Sequence, residues 1–221
     1  MQHWIRFAFG GATHFGTLEG DGVHELDGDM YLAARPTGRV LRLSDVELLT
    51  PCEPSKVIAM YNNFAELFRK GEQRTPAEPQ YLLKPPNTYL GHGGVIRKPS
   101  CDSRIIFEGE LAIVIGRTCK DVSKDQALSF VFGYTCVNDV TAADILTRDP
   151  SFPHWARAKG FDGFCPFGPA IATGLDPDGL VVRTIVNGSV RQDFPVSDML
   201  FPVPELVSRI SRDMTLSPGD L

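Results

Sequence analysis

Ile105-Ile106-Phe107-Glu108-Gly109-Glu110-Leu111-Ala112-Ile113-Val114-Ile115-Gly116 is the stretch that decides how this chain is read. Apolar and β-branched residues surround two glutamates, a composition that calls for a buried or half-buried strand. Side chains alternate faces along a strand, so Glu108 and Glu110 project together and Gly109 keeps the opposite side open. Two adjacent carboxylates near a core repel each other and lose hydration, so one takes up a proton or both share a cation. A third acid, Asp139, closes a second apolar run, Gly133-Tyr134-Thr135-Cys136-Val137-Asn138. Three carboxylates with no attendant histidine or cysteine describe a hard-cation site for Mg²⁺, with Mn²⁺ or Ca²⁺ as other occupants. On these residues alone the alternative stands equally: acids on the solvent face of an edge strand.

Further along comes His154-Trp155-Ala156-Arg157-Ala158-Lys159-Gly160-Phe161-Asp162-Gly163-Phe164-Cys165-Pro166-Phe167-Gly168-Pro169. Glycines, prolines and aromatics interleaved with Arg157, Lys159 and Asp162 read as a tightly turned binding loop. A lysine aimed at an acidic metal site would fix a substrate carboxylate or stabilise developing negative charge; a surface salt bridge is the plainer reading. His154 reads as a loop or packing residue, and the other histidines form no spaced set. Lys84, in Leu82-Leu83-Lys84-Pro85-Pro86, either approaches the same pocket or caps a strand.

The chain of 221 residues accommodates one large domain or a core domain with a small companion. Hydrophobic residues at 43% and charged residues at 22% supply a real core. Twenty-two Lys+Arg against 27 Asp+Glu leave a net charge of -5, which argues against a nucleic-acid surface or a polybasic membrane anchor. No apolar run reaches bilayer length, and the opening Met1-Gln2-His3-Trp4-Ile5-Arg6 lacks the layout of a signal peptide, so a cytoplasmic protein is expected. Cys52, Cys101, Cys119, Cys136 and Cys165 are odd in number and scattered, without a C-x-x-C pair, which fits a reducing compartment.

Frequent turns between short apolar runs predict an α+β fold dominated by strands. Trp4 to Phe9 and Arg39 to Leu43 read as strands of a small N-terminal β domain, residues 1–52, bounded by the linker Leu49-Thr50-Pro51-Cys52-Glu53-Pro54. Residues 53–221 form the second domain. There Lys56 to Met60 is a buried strand, Phe64 to Lys70 a helix, and the proline-broken residues 71–80 a loop. Ser123 and Gln126 form a capping box that opens a helix through about Phe132. Val181 to Val186, Asn187-Gly188 and the run from Ser189 make a hairpin, because Asn-Gly tolerates the positive φ of a type I′ turn. Val203 to Arg212 is a helix with Leu206, Val207 and Ile210 on one face and Glu205 four residues before Arg209. The ending Ser217-Pro218-Gly219-Asp220-Leu221 turns and stops on an apolar residue, so the domain is expected to lack its last C-terminal strands.

Together these motifs resemble the fumarylacetoacetate hydrolase family. The resemblance rests on Phe107 to Gly116, Gly133-Tyr134 through Asn138-Asp139, Ala158-Lys159-Gly160-Phe161-Asp162 with Phe164-Cys165-Pro166 and Gly168-Pro169, the Asn187-Gly188 hairpin, and Asp213 to Asp220. It runs from about residue 55 to the end. It implies a mixed β-sheet rolled on itself, usually in a homodimer, with Mg²⁺ held by Glu108, Glu110 and Asp139 and with Lys159 on the substrate. Family members act on small 2-oxo or β-diketo acids, and chelation of the keto-acid oxygens makes an enolate accessible at neutral pH.

Departures from the pattern bear on the outcome. Hydrolytic members carry a water-activating histidine after the first core strand. Here Tyr61-Asn62-Asn63-Phe64-Ala65-Glu66-Leu67 has leucine where it would fall, and leucine cannot accept a proton. Leu146 and Gly163 replace a common glutamine and threonine, and the family's later Gly-Thr segment lies beyond Leu221. The resemblance therefore implies isomerisation or decarboxylation in aromatic-compound catabolism, of the 2-hydroxyhepta-2,4-diene-1,7-dioate isomerase type. The alternatives are a C–C hydrolase of the fumarylacetoacetase or acylpyruvase type and a non-catalytic binder of metal and oxo acid. Glu66 stands as a substitute catalytic base, or else as an exposed helix glutamate. Lys84, Arg157 and Asp162 are the expected substrate contacts.

Overall fold

Four strands, β1 (Gln2–Phe9), β2 (Ala12–Glu19), β3 (Gly22–Asp27) and β4 (Arg35–Arg42), pair as an antiparallel meander, with β4 exposed at its edge. Ile5, Phe7 and Val23 fill its buried side, as a period of two requires. The computed structural model describes residues 1–71 and 74–221. In chain order there follow β5 (Glu47–Leu48), β6 (Val57–Met60), α1 (Ala65–Gly71), β7 (Tyr81–Lys84), β8 (Tyr89–Leu90), β9 (Ile105–Ile106) and β10 (Gly109–Ile115). After these come α2 (Lys124–Ala127), β11 (Val131–Asn138), β12 (Thr141–Ala142), α3 (Ala143–Leu146) and α4 (Trp155–Lys159). The chain closes with β13 (Cys165–Thr173), β14 (Val181–Val186), β15 (Ser189–Pro195) and α5 (Val203–Asp213).

The fold is α+β and mainly β. One nine-stranded sheet runs β10-β11-β13-β1-β2-β3-β4, with β5 also on β1 and β8 on β13. It is mixed, because β8 and β13 are parallel while the other pairs are antiparallel. Gln2↔Thr173 and Trp4↔Ile171 join the N-terminal meander to the rest without a break in the sheet. Helix α5 buries Leu206, Val207 and Ile210 against Ile115, Cys119 and Ala127, while Arg209 reaches back to Glu205 at 2.8 Å. The C-terminal turn ties β6 to β10. The fully buried Asp220 carboxylate accepts from Ser55 Oγ at 2.6 Å and Lys56 Nζ at 2.5 Å, and Gly219 N donates to Ile115 O at 2.8 Å.

Most expected elements are present, including the hairpin, where Asn187 and Gly188 take φ of 51° and 76°. The helix expected from Ser123 is shorter. It ends at Ala127, a 3-10 turn covers Leu128–Phe130, and Val131 and Phe132 belong to β11. Tertiary packing decides this: the Phe132 ring sits 5.3 Å from Trp4 and 5.0 Å from Tyr31. The expected capping box is not formed either; Ser123 Oγ faces Gln126 Oε1 at 3.2 Å and caps no backbone N–H. Of the expected loop over 71–80, Gly71 closes α1, residues 72 and 73 lie outside the described residues, and 74–80 carry no helix or strand. All five cysteines are free, with Cys52, Cys119 and Cys165 buried. Among the described residues, no helix is long and apolar enough to cross a membrane.

Candidate active site

The three acids converge. Glu108, Glu110 and Asp139 each offer a carboxylate oxygen, and the three atoms lie within 4.8 Å of one another. The register explains the meeting. Gly109 pairs with Asn138 across β10 and β11, so the acids flanking each end of that rung are neighbours, and Asp139 N donates to Glu108 O at 2.9 Å.

Two lysines close on the same spot. Lys159 ends α4 and sends Nζ to Glu108 Oε2 at 2.6 Å and to Asp139 Oδ2. Lys84, at the end of β7, is wholly buried and pairs with Asp139 Oδ1. Its ammonium also faces Val140 O at 3.4 Å. Helix α4 is set in place by Trp155, whose ring packs edge-on against Tyr61 at 4.9 Å. Gly160 follows Lys159 because a Cβ there would lie 2.3 Å from Ala156 O, so only glycine lets the chain turn so closely.

The electrostatics are set by burial and by the mutual repulsion of the acids, offset in part by the two lysines. Burial, then Asp139, then Glu108 push the Glu110 carboxyl up to about 8, with Lys159 and Lys84 pulling the other way. Burial alone would lower Lys159, but Asp139 and Glu108 outweigh it and hold the ammonium above its ordinary range. Among the described residues, the Glu110 carboxylate accepts no hydrogen bond, so no protein donor offsets its burial. Three oxygen donors without nitrogen or sulfur fit a hard divalent cation such as Mg²⁺, Mn²⁺ or Ca²⁺. Glu108, Glu110 and Asp139 are the residues that would hold it.

The other expected site residues lie elsewhere. Glu66 is half exposed on α1 and pairs with Lys70 Nζ at 2.6 Å. Arg157 sits two positions before Lys159, which turns it to another flank of α4. It lines a separate cavity of about 530 Å³ with Ser100, Cys101, Asp102 and Arg148. Asp162 is exposed and accepts from Asn87 Nδ2 at 2.7 Å, while the same amide donates to Gly160 O at 3.0 Å, so Asp162 braces the turn after Lys159. The side chain of Leu67, where a water-activating histidine would stand, lies outside the described residues.

Sequence reading missed several neighbours. Thr141, buried, donates from Oγ1 to Glu108 Oε2 at 2.9 Å; its position two residues after Asp139 was a usable signal. Asn138 Oδ1 accepts from Glu108 N at 3.0 Å. Gln192 Oε1 accepts from Gly109 N at 2.8 Å across a separation of 83 residues, which no local pattern announces. The side of β10 opposite the acids is not open as expected, because a Cβ on Gly109 would fall 1.9 Å from Thr184 Oγ1.

A carboxylate trio beside two buried ammonium groups, on a mainly-β fold, is an oxygen-only donor set of the kind a hard divalent cation would fit. Residues 56–221 match the model for the fumarylacetoacetate (FAA) hydrolase C-terminal domain, and residues 2–51 match the Rv2993c-like N-terminal domain. Protein Rv2993c of Mycobacterium tuberculosis is 47% identical over 84% of this chain and 70% of its own length. Oxaloacetate tautomerase YisK of Bacillus subtilis is 38% identical over 81% of this chain and 61% of its own length. The crystal structure of 2-hydroxyhepta-2,4-diene-1,7-dioate isomerase from Mycobacterium marinum superposes with a TM-score of 0.90, at 40% identity, over 100% of this chain and 85% of that one. The chain belongs to the fumarylacetoacetate hydrolase family.

Proposed function

We propose that the chain is a divalent-cation-dependent enzyme for a small enolisable 2-oxo or β-diketo acid, with isomerisation or decarboxylation as its outcome and the breakdown of aromatic compounds as its setting. The observation that carries this is the meeting of Glu108, Glu110 and Asp139 within 4.8 Å, flanked by the Lys84 and Lys159 ammonium groups. A bound Mg²⁺ or Mn²⁺ supplies Lewis-acid polarisation of the oxo-acid oxygens, which lowers the cost of forming an enolate at neutral pH. The protein supplies the rest. Glu108, Glu110 and Asp139 hold the cation; Lys159 Nζ, kept protonated by Asp139 and Glu108, donates to the substrate carboxylate and to the oxygen on which charge develops. Lys84 Nζ fixes Asp139 and adds a second positive charge beside the same oxygens.

Leucine at position 67 favours isomerisation or decarboxylation over C–C hydrolysis, because no proton acceptor stands there to activate water. The tautomerase and isomerase names carried by two relatives point the same way. The five unpaired cysteines support a cytoplasmic setting. A homodimer is supported by the apolar row Val181, Ile185 and Val190, each more than half exposed on the hairpin. The test is a substrate panel with Mg²⁺ or Mn²⁺: enol–keto exchange of oxaloacetate, its decarboxylation, and hydrolysis of an acylpyruvate. The expected result is metal-dependent isomerisation or decarboxylation that Glu110→Gln abolishes. Absence of metal-dependent turnover on every member would overturn the proposal.

A further inference from the structure

Strand β10 is the edge of the nine-stranded sheet, so β11 supports it on one side only. An edge strand that begins between Glu108 and Glu110 needs another restraint if the two acids are to share an ion, because a shift of a few tenths of an ångström spoils a coordination sphere. The hairpin of β14 and β15 provides a grip. Thr184 and Gln192 are cross-strand partners on one rung, next to a register irregularity between Thr184 and Ile185. Irregularities of this kind re-aim side chains. Both residues turn inward on Gly109: Gln192 Oε1 takes its N–H at 2.8 Å, and Thr184 Oγ1 stands 1.9 Å from where a Cβ would be. The preceding N–H, of Glu108, is taken by Asn138 Oδ1 at 3.0 Å. Two successive backbone donors, of Glu108 and Gly109, are thus held by side-chain amides.

We infer that the β14–β15 hairpin is a clamp on the acidic strand, with Gln192 as a positioning residue that fixes Gly109 and thereby the spacing of Glu108 and Glu110. Its effect on metal affinity rests on the function proposed above; the clamp itself does not. Gln192→Leu keeps the bulk and removes the acceptor. The neighbouring rung supplies a control: Arg183 and Asp193 pair at 2.9 Å across the same hairpin and, among the described residues, make no hydrogen bond to β10, so Arg183→Ala removes a hairpin contact and leaves the Gly109 acceptor in place.

Two readouts on the full chain test the inference. Hydrogen exchange of the Gly109 amide in metal-free protein reports the clamp, and Mn²⁺ titration calorimetry reports its consequence. Gln192→Leu is expected to abolish Gly109 protection and weaken Mn²⁺ binding on the order of tenfold, as loss of an outer-shell partner does. Arg183→Ala removes an exposed ion pair and is expected to keep both near wild type. Undiminished Gly109 protection in Gln192→Leu overturns the clamp, as does an equal loss of protection in Arg183→Ala. Should the wild type bind no Mn²⁺, the proposed function fails and Gly109 exchange alone decides the clamp.

Discussion

Gly109→Ala is a substitution whose outcome can be worked from distances. The new methyl would lie 1.9 Å from Thr184 Oγ1, 3.1 Å from Gln192 Oε1 and 3.3 Å from Thr184 Cβ. Even after the Thr184 hydroxyl rotates away, two contacts remain tight, so the hairpin or β10 must retreat. Overpacking of this kind costs about 1–3 kcal/mol. In a chain this long 2 kcal/mol corresponds to a fall of roughly 4–8 °C in melting temperature. In a Thr184→Ala background the 1.9 Å contact is gone. Gly109 adopts no positive φ, so alanine there also gains about 0.4–1 kcal/mol from a less flexible unfolded chain. Urea melts of the four proteins in the cycle are expected to give a coupling of about 0.5–1 kcal/mol, with the Gly109→Ala penalty reduced but not abolished in the Thr184→Ala background, because the contacts at 3.1 Å to Gln192 Oε1 and 3.3 Å to the residue-184 Cβ remain. Equal penalties in both backgrounds would refute the close approach of hairpin and acidic strand.

Two other perturbations bear on the charge balance. Glu110 is pushed up to about 8, so between the ordinary carboxylate range and pH 8 the folded metal-free protein binds a proton that the unfolded chain does not. Its stability therefore falls as pH rises through that window, and Mn²⁺ affinity, which needs the carboxylate, rises by up to about tenfold per pH unit and levels off above pH 8. Melting scans and Mn²⁺ titrations at pH 6, 7, 8 and 9 check both slopes; a flat affinity profile contradicts the assignment. Lys84→Met leaves three carboxylates facing one ammonium group. The metal-free protein is expected to lose about 3–5 kcal/mol, the cost of breaking a buried pair, while Mn²⁺ binds more tightly because a competing cation is gone. Calorimetry showing weaker or unchanged Mn²⁺ binding in Lys84→Met would count against the arrangement.

Elements with a strong local code were legible in the sequence. Asn187-Gly188 needs no partner to specify its turn, and the spacing of Leu206, Val207 and Ile210 already defines the buried face of α5. The i, i+2 spacing of Glu108 and Glu110 likewise announced a shared face, and β11 brought Asp139 to it. What escaped was set by contacts distant in sequence. Phe132 has no local reason to leave a helix; it does so to pack between Trp4 and Tyr31. Gln192 gave no hint of its grip on Gly109, because a hydrogen bond across 83 residues leaves no periodic trace. Arg157 is expected beside Lys159 as a substrate contact, yet α4 turns the two to different flanks, and of the pair Lys159 meets the acids.

Isothermal titration with Mn²⁺ at pH 8 tests most directly whether Glu108, Glu110 and Asp139 share one divalent ion. One site per chain is expected in the wild-type protein, with binding lost in Glu110→Gln and in Asp139→Asn while both variants keep a cooperative melt. Wild-type stoichiometry and affinity retained in either variant would show that the ion, if bound, is held elsewhere.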